Sequence, residues 1–312
     1  MSNSKGLVST GASLVRRHQR ILWWVFAVNF ILALLGSGPA RTMFSSVLDH
    51  SLAAGDISGQ LRVARYVELL MQPEVQLQAG TSASVATQII FFIFMLFLTG
   101  GILVTYREDR KLSRAEFFEN CGLYFWRMVR LMLISLIPFG AILLIYQGVR
   151  KIGDRIAEAS PLEANEFWWR MGAGIVILLM LLFVRLWFDV AQVRAVEQNE
   201  RSMWKNSFRA LKISGNALGT LLWMYFRISL VAWVVLGAGL YIWLHIPGRM
   251  WGLSFLLLEV VMLVQFAVRL WLRASAITWY RLYAEEHPAA AVEYTTPKPA
   301  MVVDQQSNPV SS

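Results

Sequence analysis

The apolar positions of this chain fall into runs separated by short charged stretches, and six of the runs are long enough to be helices buried on every side. About 20 residues of helix cross a hydrocarbon core of about 30 Å. The runs therefore predict six spans: Ile21 to about Gly36, about Val85 to Tyr106, Leu131 to Gln147, about Met171 to Val190, Ile228 to Ile246, and Trp251 to about Trp271. Arg16-Arg17-His18-Gln19-Arg20 leads into the first, and Arg107-Glu108-Asp109-Arg110-Lys111 stops the second. Only Pro247-Gly248-Arg249-Met250 joins the last two, which makes them a hairpin. The pattern predicts an all-α integral membrane bundle with three parts. Residues 1–20 form a basic cytoplasmic N-terminal segment, 21–286 the six-helix transmembrane domain, and 287–312, where prolines sit among small and polar residues, a disordered cytoplasmic tail. A basic start, a short apolar core and Gly36-Ser37-Gly38-Pro39-Ala40 also describe a cleavable signal peptide, whereas an uncleaved first helix keeps the spans in three pairs.

The segments before spans three and five carry their own periodicity. Ser113-Arg114-Ala115-Glu116 is a capping box that predicts an amphipathic helix running into span three. Trp204, Phe208 and Leu211 recur at helical spacing, with Lys205, Arg209 and Lys212 together on another face. Such a helix lies in a membrane interface with its aromatics inserted and its bases among anionic headgroups, or it serves as a connector that separates two spans. The basic segment before span one fits the same plan loosely. An interfacial helix, a span, an outer loop and a returning span would thus be used three times in parallel. Val184-Arg185-Leu186-Trp187 and Val268-Arg269-Leu270-Trp271 match at corresponding inner ends of spans four and six. In the outer loop, Leu61 to Met71 has helical spacing and predicts a further helix.

Composition narrows the class. Of 312 residues 56% are hydrophobic and 16% charged, with a mean hydropathy of +0.50, whereas a soluble domain carries about 25% charge. A soluble enzyme is disfavoured. The single cysteine, Cys121, excludes an internal disulfide, and four scattered histidines predict no metal cluster and no cofactor. The formal charge of +9 does not point to nucleic acid, because its position explains it: nineteen Lys and Arg fall on one side of the predicted membrane and eight on the other. Retention of basic loops inside the cell assigns both termini to the cytoplasm. Trp23, Trp24, Trp126, Trp187, Trp271 and Trp279 then lie near the inner interface, and Trp168, Trp169, Trp243 and Trp251 near the outer one.

Ionisable residues within spans are the natural places to look for function, since an unpaired charge in hydrocarbon costs about 2.5–3.5 kcal/mol on insertion scales. Glu259, about eight residues into span six, could carry a proton or bind a cation, or hold helix packing through a hydrogen bond. Arg185, Asp189 and Gln192 form one polar stripe on span four, and Gln265, Arg269 and Arg273 form another on span six. Asp189 facing Arg269 or Arg273 would fix helix register, with the remaining arginines reaching toward phosphates, or the layer would line a substrate route. Asp49-His50-Ser51 holds triad residue types, but adjacent residues cannot adopt triad geometry. Gly172-Ala173-Gly174, Gly237-Ala238-Gly239 and Gly100-Gly101 read as packing glycines within spans.

Through Val184-Arg185-Leu186-Trp187-Phe188-Asp189 followed by Ser207-Phe208-Arg209-Ala210-Leu211, residues 85 to 284 resemble the polytopic membrane domain found beside glycerophosphodiester phosphodiesterase catalytic domains, and related bacterial membrane families. The resemblance implies a membrane fold and a bacterial inner membrane. It transfers no catalytic residue, because the soluble phosphodiesterase barrel has no counterpart in these residues. Three functions follow as expectations: a non-catalytic scaffold or envelope component contacting anionic lipid and a membrane-protein partner or a second copy; a transporter or channel using Glu259 and the inner charge layer; or a membrane enzyme acting on lipid. A reporter fused after residue 286 is expected to be active only in its cytoplasmic form, and activity of an external reporter there would reverse the topology.

Overall fold

The computed structural model describes residues 4–48, 82–159, 163–247 and 250–287, and among these the chain forms eight helices and no strand. They are α1 (Ser4–Arg17), α2 (Gln19–Leu48), α3 (Ser82–Glu108), α4 (Arg114–Ala159), α5 (Glu163–Glu197), α6 (Met203–Asn216), α7 (Leu218–His245) and α8 (Trp251–Glu286). Six of them, α2, α3, α4, α5, α7 and α8, are long and apolar enough to cross a membrane, so this is a multi-pass, all-α membrane bundle. The expected helix at Leu61–Met71, the Asp49-His50-Ser51 triplet and the tail beyond His287 lie outside the described residues.

Every span is longer than its apolar run. The 36 residues of α8 extend about 54 Å at about 1.5 Å per residue, against about 30 Å of hydrocarbon. Part of the excess, in α4, α5, α7 and α8, lies at one end, together with α1, α6 and the last turns of α3. This end is the base. Most of the buried side chains are here, including Leu7 and Leu14 of α1, Tyr106 of α3, Val193 of α5, Ala210 of α6 and Trp279 of α8. Away from the base the spans open. On α4, residues 143 to 148 are all exposed, more than a full helical turn, so this stretch has no buried face.

The three parallel units close into a ring at the base. Within each unit the two spans pack as a hairpin: α2 with α3, α4 with α5, and α7 with α8. Each base helix then packs on the returning span of the preceding unit: the first turns of α4 on α3, α6 on α5, and α1 on α8. The indoles of the matched tetrapeptides make two of these contacts. Trp187 Nε1 donates to the Ser207 carbonyl of α6 at 2.8 Å, and Trp271 Nε1 donates to the Val8 carbonyl of α1 at 2.8 Å. Ser207 and Val8 are each the fifth residue of a 14-residue helix, and each helix is followed by a single break, Ala217 or His18, before its span. An equal bond at an equal register is what an internal repeat requires. The expected third helix differs: it runs unbroken into span three as the 46 residues of α4, nucleated by the capping box, in which Glu116 N–H donates to Ser113 Oγ at 3.2 Å and Ser113 N–H to Glu116 Oε2 at 2.8 Å. Pro138 lies within α4, where it removes one backbone hydrogen bond without ending the helix.

Close approach at the base depends on particular glycines. A Cβ on Gly101 would stand 2.5 Å from Cys121 Sγ and 3.0 Å from the Phe117 carbonyl, and one on Gly11 would stand 2.1 Å from Ser275 Oγ and 3.0 Å from its backbone nitrogen. Farther from the base, Gly239 abuts Val261 in the same way, whereas Gly172, Gly174 and Gly237 face open space and do not pack. Gly11→Ala is expected to destabilise the docked α1 by about 1–3 kcal/mol, despite a helix-propensity gain of about 1 kcal/mol. Gly6→Ala, with nothing within 4 Å, is the neutral control. Thermal unfolding in detergent and protease release of α1 would measure both, and equal behaviour of the two variants would refute the docking.

Candidate functional site

The polar layer predicted within the spans does assemble, but not as an ion pair. Arg185 and Asp189 lie one turn apart on α5, and Arg269 and Arg273 hold the positions 84 residues further on in α8. Asp189 Oδ2 accepts a hydrogen bond from Tyr225 Oη of α7 at 2.8 Å. Arg185 and Arg273 act on the same carboxylate electrostatically, yet among the described residues neither lies within ion-pair distance of it. The partner expected for Asp189 was Arg269 or Arg273; Tyr225 takes that place, a neutral donor that loses less hydration on burial than a guanidinium. Arg269 stands over the Phe266 ring at 5.9 Å and feels the charge of Arg185. Gln265 Nε2 donates to the Ala232 carbonyl at 2.8 Å and ties α8 to α7.

Two guanidinium groups, Arg185 and Arg273, thus act on one carboxylate in a segment long enough to lie within lipid, with Arg269 near Arg185. Tyr106 of α3 is fully buried beside Arg273, and its hydroxyl has no hydrogen-bond partner among the described residues. Glu259 is half-buried, about 15 Å along α8 from Arg269 at about 1.5 Å per residue. No described residue forms a hydrogen bond or ion pair with Glu259, and it does not join the charge layer.

The most completely buried charges lie lower, at the base, where sequence reading placed none. Arg194 of α5 is 1% exposed; its Nη1 donates to Glu200 Oε2 at 2.7 Å and to Asn206 Oδ1 at 3.0 Å. Asn206 Nδ2 in turn donates to the Ala191 carbonyl at 2.8 Å, and Arg194 also bonds Tyr280 of α8. The network clamps α6 against both returning spans. A second clamp joins the ends of those spans: Arg281 of α8 donates to Glu197 Oε1 of α5 at 2.9 Å and to the Arg107 carbonyl of α3, while Arg107 Nη1 donates to the Val196 carbonyl at 2.9 Å. Glu197 and Arg281 again stand 84 positions apart, so equivalent places in two repeats carry opposite charges that meet. The visible signal was Asn206, an amide on the face of α6 opposite its aromatics.

With that face of α6 buried, the predicted interfacial face is left free. Trp204 is 55% and Phe208 66% exposed, and their rings stack at 6.3 Å. Lys205 and Lys212 are exposed beside them, while Arg209 turns back to stand 3.6 Å from Glu200 Oε1. Outside the spans, the hydrogen bond from Arg110 to Glu108 holds that guanidinium more firmly in its charged form. Among the described residues no group of three His, Cys, Asp or Glu side chains is placed to hold a metal ion.

Comparison with protein-family models, with characterised proteins and with solved structures gives no match to this chain.

Removing one partner of a buried ion pair costs about 3–5 kcal/mol, whereas an apolar replacement of both is often neutral. Glu200→Gln or Arg194→Met alone is therefore expected to lower the melting temperature in detergent sharply, and Arg194→Met with Glu200→Leu to recover most of the loss. A double variant as unstable as the sum of the two would show that the pair is not the clamp described.

Proposed function

We propose that the chain is a non-catalytic, multi-pass component of a bacterial cytoplasmic membrane, with both termini in the cytoplasm. It acts as a scaffold whose base contacts anionic headgroups. The observation that carries this reading is the free face of α6: exposed Trp204 and Phe208 beside exposed Lys205 and Lys212, on a helix fixed to the bundle by its other side. An aromatic–basic face of this kind is favoured at the headgroup layer. The buried charges of the base are engaged in clamps, which supports a structural role for them. The likeness of Val184 to Asp189 and Ser207 to Leu211 to the membrane domain that accompanies glycerophosphodiester phosphodiesterases goes with this reading. A membrane-protein partner or a second copy would be held by the same scaffold.

A transporter is the second reading, favoured by one observation: Arg185, Arg269 and Arg273 outnumber Asp189 within the spans, and Arg185 and Arg269 are exposed. The lipid enzyme has no comparable support.

The two are separable in reconstituted protein. In vesicles of mixed phosphatidylglycerol and phosphatidylcholine, Lys205→Glu with Lys212→Glu is expected to reduce the enrichment of phosphatidylglycerol around the chain severalfold, at about 1 kcal/mol for each basic residue near an anionic surface. Unchanged enrichment would remove α6 as the lipid-contacting surface. Anion or proton flux that vanishes in Arg273→Gln would replace the scaffold with the transporter.

A further inference from the structure

We infer that the chain carries a defined binding site for a single anionic phospholipid at the base, in the cavity enclosed by the α1–α2 junction, α3 and the start of α4. The inference rests on the lipid-contacting reading above but uses different residues. The cavity has a volume of about 510 Å³, within the range of small-molecule sites and enough for a phosphate headgroup with the first part of its chains. Its wall is divided by chemistry. One end is basic, lined by Arg16, Arg17, Arg20, Lys111 and Arg114; the other is apolar, lined by Trp24, Val28, Phe94, Leu98 and Phe118.

The charges at the basic end are not consumed by the protein. Asp109 engages Arg17 and stands 3.2 Å from Nε2 of the buried His18. Arg114 lies over the Trp24 ring at 5.9 Å, a contact that leaves its positive charge in place. Arg16, Arg20 and Lys111 have neither a hydrogen bond nor an ion pair among the described residues, and all three are exposed. Four cations therefore converge without a matching carboxylate. The capping box at Ser113 occupies the end of α4, so the positive field comes from side chains rather than from open backbone N–H groups.

At the apolar end, Trp24 and Phe118 are 45% and 44% exposed at the mouth, and the first helical turns of span one follow directly, so this end meets hydrocarbon where the other meets headgroups. A free phosphate would use only half of the wall. A phospholipid uses both, with its phosphate among Arg16, Arg20 and Lys111 and a chain along Val28, Phe94 and Leu98.

The ring repeats the arrangement. A second cavity, about 430 Å³, lies between the span portion of α4 and the start of α6, with Arg130 and Arg201 against Leu133, Ile137, Met203 and Trp204. Both cavities lie where an odd-numbered span begins and the next unit's base helix starts, so the geometry belongs to the repeat rather than to one accident of packing.

Native mass spectrometry of the full chain, released from gentle detergent and supplied with phosphatidylglycerol or phosphatidylcholine, tests the site. One phosphatidylglycerol is expected to be retained at least about tenfold more strongly than phosphatidylcholine, and inorganic phosphate in excess is expected not to displace it. Arg16→Gln with Arg20→Gln and Lys111→Gln is expected to abolish the preference while leaving the melting temperature unchanged, because these residues hold no other element. Val28→Trp, which fills the apolar end and keeps every charge, is expected to lower retention as well; a merely basic surface would not respond to it. Equal retention of the two lipids, displacement by phosphate, or cavity variants that behave as wild type would overturn the site. Lys205→Glu with Lys212→Glu is expected to leave the single tight lipid bound, so loss of outer enrichment with normal cavity behaviour defeats only the free face of α6, and failure of both sets defeats both.

Discussion

The fold depends on how three returning spans bury their ends at the base. Lipid offers α3, α5 and α8 little reason to associate, since hydrocarbon solvates a leucine as well as another leucine does. Beyond the lipid, the projecting turns of α5 and α8 gain from burial, and that is where Val193, Ile277 and Trp279 are removed from solvent. The base helices complete this burial, each laid across the end of a returning span. The spans are thus fixed at the base, and α4 and α5 meet again near Gly153 and Trp169, beyond the exposed turn at residues 143 to 148 of α4.

Polar groups set the register of that base. An indole N–H buried without an acceptor would lose a hydrogen bond, and a second lone pair on a helical carbonyl provides one. Trp187 and Trp271 use this same solution on Ser207 and Val8, so the repeat is defined by a donor and an acceptor rather than by similar sequence along the helices. Charge then distinguishes the copies. Asp189 and Glu197 of one unit correspond to Arg273 and Arg281 of the next, and like charges at both places would repel across the ring. With the sign exchanged, Glu197 and Arg281 attract instead.

Function attaches to what this arrangement leaves over. Inside the ring, Arg194 Nη1, Asn206 Nδ2 and Arg281 Nε are engaged by neighbouring groups. On its rim, Lys205 and Lys212 point outward, and Arg16, Arg20 and Lys111 converge on a cavity with an oily floor. Both rim features lie shortly before the start of a span, where the proposed reading places phosphate groups. A scaffold that engages lipid there needs no moving part, whereas a transporter would have to put the Arg185–Arg273 layer in contact with both sides.

Six spans, their bounds to within a few turns, the capping box and the free aromatic–basic face of α6 were all legible in the sequence, because each depends on periodicity or on neighbours within four residues. The tetrapeptide match also pointed to a repeat, although only the structure showed what the shared tryptophan does. Tertiary structure alone decided that Asp189 meets Tyr225 instead of an arginine, and that Arg194 is among the most buried of the described side chains. It also decided that Gly11 must be small while Gly172 need not be. These outcomes depend on which helices lie side by side. A charge or a glycine carries no mark of the neighbour it will face, since that neighbour comes from tens or hundreds of residues away and is chosen by the closure of the whole ring.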